Sequence, residues 1–178
     1  IDIEKVQHQI KNIRTSYFIG HTRYSTSGLK NNVSIQPFNG TVETPDGGTD
    51  FILVHNGNIQ NIRNLTKYFN IRIDKTKTDS EILIDIIQSY NQCSFFDILK
   101  NIMSKILGVY CLLIGTKDGI YVLRDTYGIR PLSLCFNEKT NSYCVISENS
   151  DIEHKHGYRF VNNIKPVSYT HLTLPTKR

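Results

Sequence analysis

The chain is punctuated by short apolar runs whose spacing changes partway along it. Ile3, Val6, Ile10 and Ile13 recur at intervals of three and four residues, the stripe of an amphipathic helix. "YFIG" (17–20) reads as a short strand running into the polar loop "HTRYSTSG". "DFILVHNG" (50–57) is a second strand, and "NIQNIRNLTKYFN" (58–70) returns to helical spacing through Ile59, Ile62, Leu65 and Phe69. Thr78 followed by Glu81 is the signature of a capping box, so "TDSEILIDIIQSY" (78–90) opens a helix with two acids in its first turn. "SFFDILKNIMSKIL" (94–107) repeats the helical pattern.

After residue 107 the period drops to two. "GVYCLLIGTKDGIYVLRD" (108–125) is strand, turn and strand, with Lys117-Asp118-Gly119 as the hairpin signal. "RPLSLCF" and "SYCVISE" continue as two more strands. Consecutive strands joined by short turns favour an α+β fold with a largely antiparallel sheet arrangement over alternating βαβ units. The length of 178 residues allows one substantial core, so residues 1–166 are expected to form one domain.

The last stretch changes that picture at one end. "VSYTHLTLPTKR" (167–178) is Thr/Leu/Pro-rich, holds Lys177 and Arg178 without an acid, and resembles a vector-derived tail, so it is set aside from the fold. The formal charge of +5 then falls to +3 on the body, where basic and acidic residues are interleaved, and no basic aromatic cluster marks a nucleic-acid surface. No apolar run reaches the roughly 20 residues of a membrane helix, and the N-terminal segment lacks the apolar centre of a secretion signal. A cytoplasmic protein with no membrane partner is expected. Cys93, Cys111, Cys135 and Cys144 form no C-x-x-C pair, and the last three sit in apolar strand-like runs as small buried hydrophobes. Neither they nor the histidines show metal-ligand spacing, and no metal site is expected.

Candidate chemistry lies where strands run out into loops. In "GHTRYSTSG", Arg23 sits among small hydroxyl residues and glycines, suited either to gripping a carboxylate or to bonding loop carbonyls. In "HNGN", Asn56 and Gly57 form either a tight hairpin turn or a pair of donors, one side-chain amide and one backbone N–H, aimed at a developing oxyanion. Asp79 at the start of its helix either holds an ammonium group or complements the helix dipole. "LRDTYGIRPLSL", with Asp125 and Arg130, reads mainly as architecture.

Taken in order, "GHTRYSTSG", "SIQPF", "HNGNI", "TDSEIL", "DTYGIRPLSL" and "VISE" resemble the glutamine amidotransferase domain of the amidophosphoribosyltransferase family over about residues 17 to 166. The resemblance implies the N-terminal-nucleophile hydrolase fold, an αββα sandwich of two antiparallel sheets between helical layers. It implies that Arg23 binds the α-carboxylate of glutamine and Asp79 its α-ammonium, that Asn56 and Gly57 form the oxyanion hole, and that Thr26 adds a backbone contact. The family hydrolyses glutamine with an N-terminal cysteine thiolate and passes ammonia to a phosphoribosyltransferase domain. There the ammonia reacts with phosphoribosyl pyrophosphate in purine biosynthesis, and Mg2+ is expected in that domain rather than in this one.

Two departures accompany the match: residue 1 is Ile, and no cysteine precedes Cys93. No acidic phosphoribosyl pyrophosphate loop occurs either. The expectation is therefore a domain truncated at its N-terminus and lacking its transferase partner in cis, inactive by itself, from an enzyme that is a homo-oligomer when whole. The alternatives are the glutaminase domain of the glucosamine-6-phosphate synthase family and a non-catalytic glutamine-binding module. Tyr24, where the former family has Trp, argues against the former.

Overall fold

The structure, a computed structural model, describes residues 13, 15–22, 35–72, 74–148, 152, 156–166 and 169–173. β1 (Phe38–Thr44) and β2 (Gly47–Ile59) form a hairpin closed at Pro45-Asp46, followed by helices α1 (Ile62–Tyr68), α2 (Asp79–Gln88) and α3 (Phe95–Met103). β3 (Gly108–Thr116) and β4 (Gly119–Arg124) form the hairpin expected at Lys117-Asp118. Then come β5 (Ser133–Asn137), β6 (Ser142–Ile146), β7 (Arg159–Asn163) and β8 (Tyr169–Thr173). Two antiparallel sheets result, one ordered β1-β2-β3-β4-β8 and the other β6-β5-β7.

Strand alternation divides the core between the two faces of the larger sheet. One face presents Phe51, Leu53, Leu112, Ile114 and Leu123 to α1, α2 and α3, which contribute Leu65, Leu83, Ile86, Ile87, Ile98 and Ile102. Phe95 on α3 bridges Phe51 and Tyr121, with ring centroids 5.5 Å apart in each pair. The opposite face presents Cys111 and Val122, which pack with Leu132, Ile164, Leu134 and Val145 of the smaller sheet and its flanking segments. The layers are thus helix, sheet and sheet, with α1, α2 and α3 all on the larger sheet's side. Beyond β6, Ile152 and His156 are helical.

The α2 start forms as its sequence predicts. Thr78 Oγ1 accepts from the Glu81 N–H and the Glu81 carboxylate accepts from the Thr78 N–H, fixing where the helix begins. Other expectations are corrected. Residues 17–20 form no strand; instead Tyr17 donates from its hydroxyl to the Thr116 carbonyl, and Tyr17 and Ile19 fill the space over Gly115. β1, with Val42 its one buried apolar side chain, has too weak an alternation to be read as a strand in advance. β7, with all five residues exposed, likewise carries no alternation to read, and Tyr169–Thr173, inside the stretch set aside, pairs along β4 as an edge strand. Of the helical stripe, Ile3, Val6 and Ile10 lie outside the described residues, and Ile13 is exposed and not helical.

The largest correction concerns "HNGN". It is not a hairpin turn: β2 runs straight through it, with His55 opposite Leu112, Asn56 opposite Cys111 and Gly57 opposite Tyr110. A type I′ turn needs positive φ at both central residues, and here only Gly57, at φ 149°, has it. Long-range pairing with the apolar β3 outweighs the local turn signal. Glycine is required for a different reason, because a Cβ at position 57 would lie 2.0 Å from the Val109 carbonyl oxygen.

Candidate active site

β1 begins only at Phe38, opposite Leu53, so the last six residues of β2 have no strand on that side. Along a strand, residues i, i+2 and i+4 direct their backbone groups to the same edge. Three edge-facing N–H groups follow, on His55, Gly57 and Ile59. The Gln36 side chain takes the first: its Oε1 accepts from the His55 N–H at 2.6 Å, while its Nε2 donates to the His55 carbonyl at 3.1 Å. The Asp79 carboxylate takes the third, with Oδ2 accepting from the Ile59 N–H at 3.0 Å. On the other side of β2, Tyr110, opposite Gly57, turns its own N–H and carbonyl towards Asp125 and so makes no backbone hydrogen bond to Gly57. The Gly57 N–H is left between two side-chain caps, facing outward.

A cleft of about 750 Å³ opens there, lined by Asn56, Gly57, Asp79, His55, Arg130 and Glu148 among others. Asn56 is half-buried, and its side-chain amide makes no hydrogen bond among the described residues. Asp79 sits at the first position of α2, where the helix dipole favours its negative charge. Its Oδ1 accepts from the Ser80 N–H at 2.8 Å. The His55 ring is buried beneath it, with Nδ1 2.8 Å from Ser80 Oγ and 3.8 Å from Asp79 Oδ1. Burial holds His55 below the usual imidazole range; Asp79 opposes this, and His21 and Arg130 reinforce it.

Arg130 reaches the cleft on a loop braced by two neighbouring charges. Asp125, fully buried, accepts from the N–H groups of Tyr110, Tyr127 and Gly128. Arg124 donates to the carbonyls of Gly128, Arg130 and Ile164. A carboxylate satisfies the donors of the turn and a guanidinium its acceptors. Gly128, at φ 59°, lets the chain reverse between them.

Of the residues singled out in the sequence, Asn56, Gly57 and Asp79 meet at this one cleft, and Arg23 and Thr26 lie outside the described residues. Gln36, His55, Ser80 and Arg130 also line it. Sequence reasoning gave them no role at the site; only the adjacency of His55 and Ser80 to Asn56 and Asp79 could have flagged them. Among the described residues no cysteine lines the cleft. Cys111 lies in the neighbouring space between the sheets, its thiol pushed up to about 11 by burial, far from a ready nucleophile. Among the described residues no three His, Cys, Asp or Glu side chains cluster as a metal site requires.

The profile of the glutamine amidotransferase domain matches residues 21–154. The amidophosphoribosyltransferase of Schizosaccharomyces pombe is 31% identical over 175 residues, covering 90% of this chain and 32% of the relative. That of Methanocaldococcus jannaschii is 30% identical over 152 residues, covering 83% of this chain and 31% of the relative. Among solved structures, glutamine phosphoribosylpyrophosphate amidotransferase from B. subtilis complexed with ADP and GMP gives a TM-score of 0.66 at 26% identity, over 88% of this chain and 34% of that one. A structure described as the allosteric regulatory enzyme of purine biosynthesis gives 0.68 at 25% identity, over 88% and 35%. The chain therefore spans about a third of the length of the relatives it matches. The two antiparallel sheets are those of the N-terminal-nucleophile hydrolase fold that these structures share. Ordered motifs, sheet architecture and a profile spanning most of the described residues agree: this chain belongs to the glutamine amidotransferase domain family.

Proposed function

We propose that this domain binds glutamine and polarises its side-chain carbonyl for hydrolysis, as the ammonia-supplying part of an amidophosphoribosyltransferase. The observation that carries this reading is the end of β2, where an unpartnered Asn56 amide and an outward Gly57 N–H stand beside the Asp79 carboxylate in one cleft. In the reaction a thiolate attacks the side-chain amide carbon, and negative charge collects on the former carbonyl oxygen. Asn56 and Gly57 donate to that oxygen. β2–β3 pairing and the Gln36 and Asp79 caps fix the backbone that presents the Gly57 N–H and carries Asn56, so that N–H needs little reorganisation as the charge forms. Asp79 takes the α-ammonium, and Arg23, with a backbone contact from Thr26, takes the α-carboxylate. The attacking thiolate is the family's N-terminal cysteine, since none of the four cysteines here lines the cleft. Ammonia released in this way would feed a phosphoribosyltransferase domain in the same polypeptide, in the cytoplasm and within a homo-oligomer. The curated relatives cited above all carry the amidophosphoribosyltransferase name, which favours this partner chemistry over a sugar-phosphate synthase.

Calorimetry of L-glutamine against the purified chain tests the binding half. Saturable binding that Asp79→Asn weakens at least tenfold is expected, and absence of binding by the unmodified chain would overturn the assignment. In the enzyme that carries this domain with its nucleophile, Asn56→Ala should lower kcat for glutamine hydrolysis by about 10²–10³ with little change in KM, because the amide acts on charge present only in the transition state. An unchanged kcat would remove Asn56 from the oxyanion site.

A further inference from the structure

The ring of His55 lies directly below the ligand-facing groups, 4% exposed, yet nothing in the proposed reaction uses it. Its backbone is clamped by Gln36, which bonds both the N–H and the carbonyl of His55. Its Nδ1 lies 2.8 Å from Ser80 Oγ, and Ser80 Oγ donates in turn to Asp79 Oδ1 at 3.3 Å. A carboxylate only accepts, so the single Ser80 hydroxyl proton points at Asp79 and the Ser80 oxygen receives the proton of His55 Nδ1. In that order of donation Nδ1 carries hydrogen and Nε2 a lone pair. Nε2 is buried and has no hydrogen-bond partner among the described residues, so a second proton there would be an unmet donor inside the protein.

Resting on the reading of Asp79 as the ammonium site, we infer that His55 is a positioning residue: its neutral, Nδ1-protonated form holds the Asp79 carboxylate through Ser80 and leaves its charge to the ligand. Protonated His55 is a cation 3.8 Å from Asp79 Oδ1, and it competes with the α-ammonium for the same carboxylate. The groups facing the ring act in two directions. Asp79 on α2 draws a proton to it, while His21 from the 17–22 segment and Arg130 from the braced loop repel one. Glu148, after β6, also lines the cleft. Binding of an amino acid is thus coupled to the protonation of a side chain that does not touch it.

Glutamine calorimetry at pH 7.5 and 5.0 reads this coupling. The unmodified chain should lose more than about twofold in affinity on acidification, whereas His55→Gln, which keeps a polar side chain without the titrating charge, should hold its affinity within about twofold across the same interval. Parallel losses in both proteins would overturn the inference. A ligand-independent arm uses long-range 1H–15N correlation of the imidazole. Hydrogen on Nδ1 at pH 7.5, with that preference lost in Ser80→Ala, supports the relay; hydrogen on Nε2 refutes it. If the unmodified chain binds no glutamine at either pH, the functional reading fails, and the tautomer still decides the relay by itself.

Discussion

Asp125 and Gln36 show how single side chains complete a backbone that the sheets leave unfinished. Asp125 is fully enclosed and answers three N–H groups that no strand partner reaches. Replacing it by Ala would strand those donors, and a loss of about 3 kcal/mol or more is expected in urea-induced unfolding, with Asn giving a smaller loss because one acceptor remains. The sequence marked Asp125 as architecture, and its burial agrees. It could not show that the same loop carries Arg130 to the cleft, because the bonds that aim the loop run from Arg124 to carbonyls as far away as Ile164.

Two elements were specified with different degrees of independence. α2 is set locally: Thr78, Glu81 and the apolar run after them fix its start and its buried face. Thr78→Ala should cost about 1 kcal/mol, read as a lowered denaturation midpoint, because it removes one half of a reciprocal cap. β2 is set at a distance. Its Asn-Gly pair carries a turn signal, yet the strand continues because β3 pairs with it as far as Gly108. Gly57→Ala should therefore destabilise far beyond a propensity change, by about 4 kcal/mol or more, since the added methyl meets backbone rather than a flexible side chain. A cost near 1 kcal/mol in equilibrium unfolding would mean that β3 can retreat from position 57.

For the whole molecule, the enclosed neutral imidazole ties stability to pH. Burial lowers the proton affinity of His55 in the fold, so the unfolded chain binds more protons on acidification than the folded one. The stability contributed by His55 is complete above the unfolded value of about 6.5, and it declines as pH falls from there towards the lower folded value. Thermal denaturation between pH 7.5 and 5.0 should show a decline in midpoint that is shallower in His55→Gln. An equal slope in both proteins would place the acid sensitivity elsewhere.

Local pattern determined what local physics governs: the capped α2, the β3–β4 hairpin, the antiparallel α+β class and, through six ordered motifs, the family. Periodicity and capping act over a few residues and need no partner to be legible. Tertiary structure alone decided the rest. Whether His55-Asn56-Gly57-Asn58 turns or runs straight depends on a strand some fifty residues away. The roles of Gln36, Ser80 and Arg130 depend on chain segments converging on one unpaired strand edge. Hydrogen bonds between such segments are fixed by how the sheets and helices stack, and that stacking is not written in any short window of sequence.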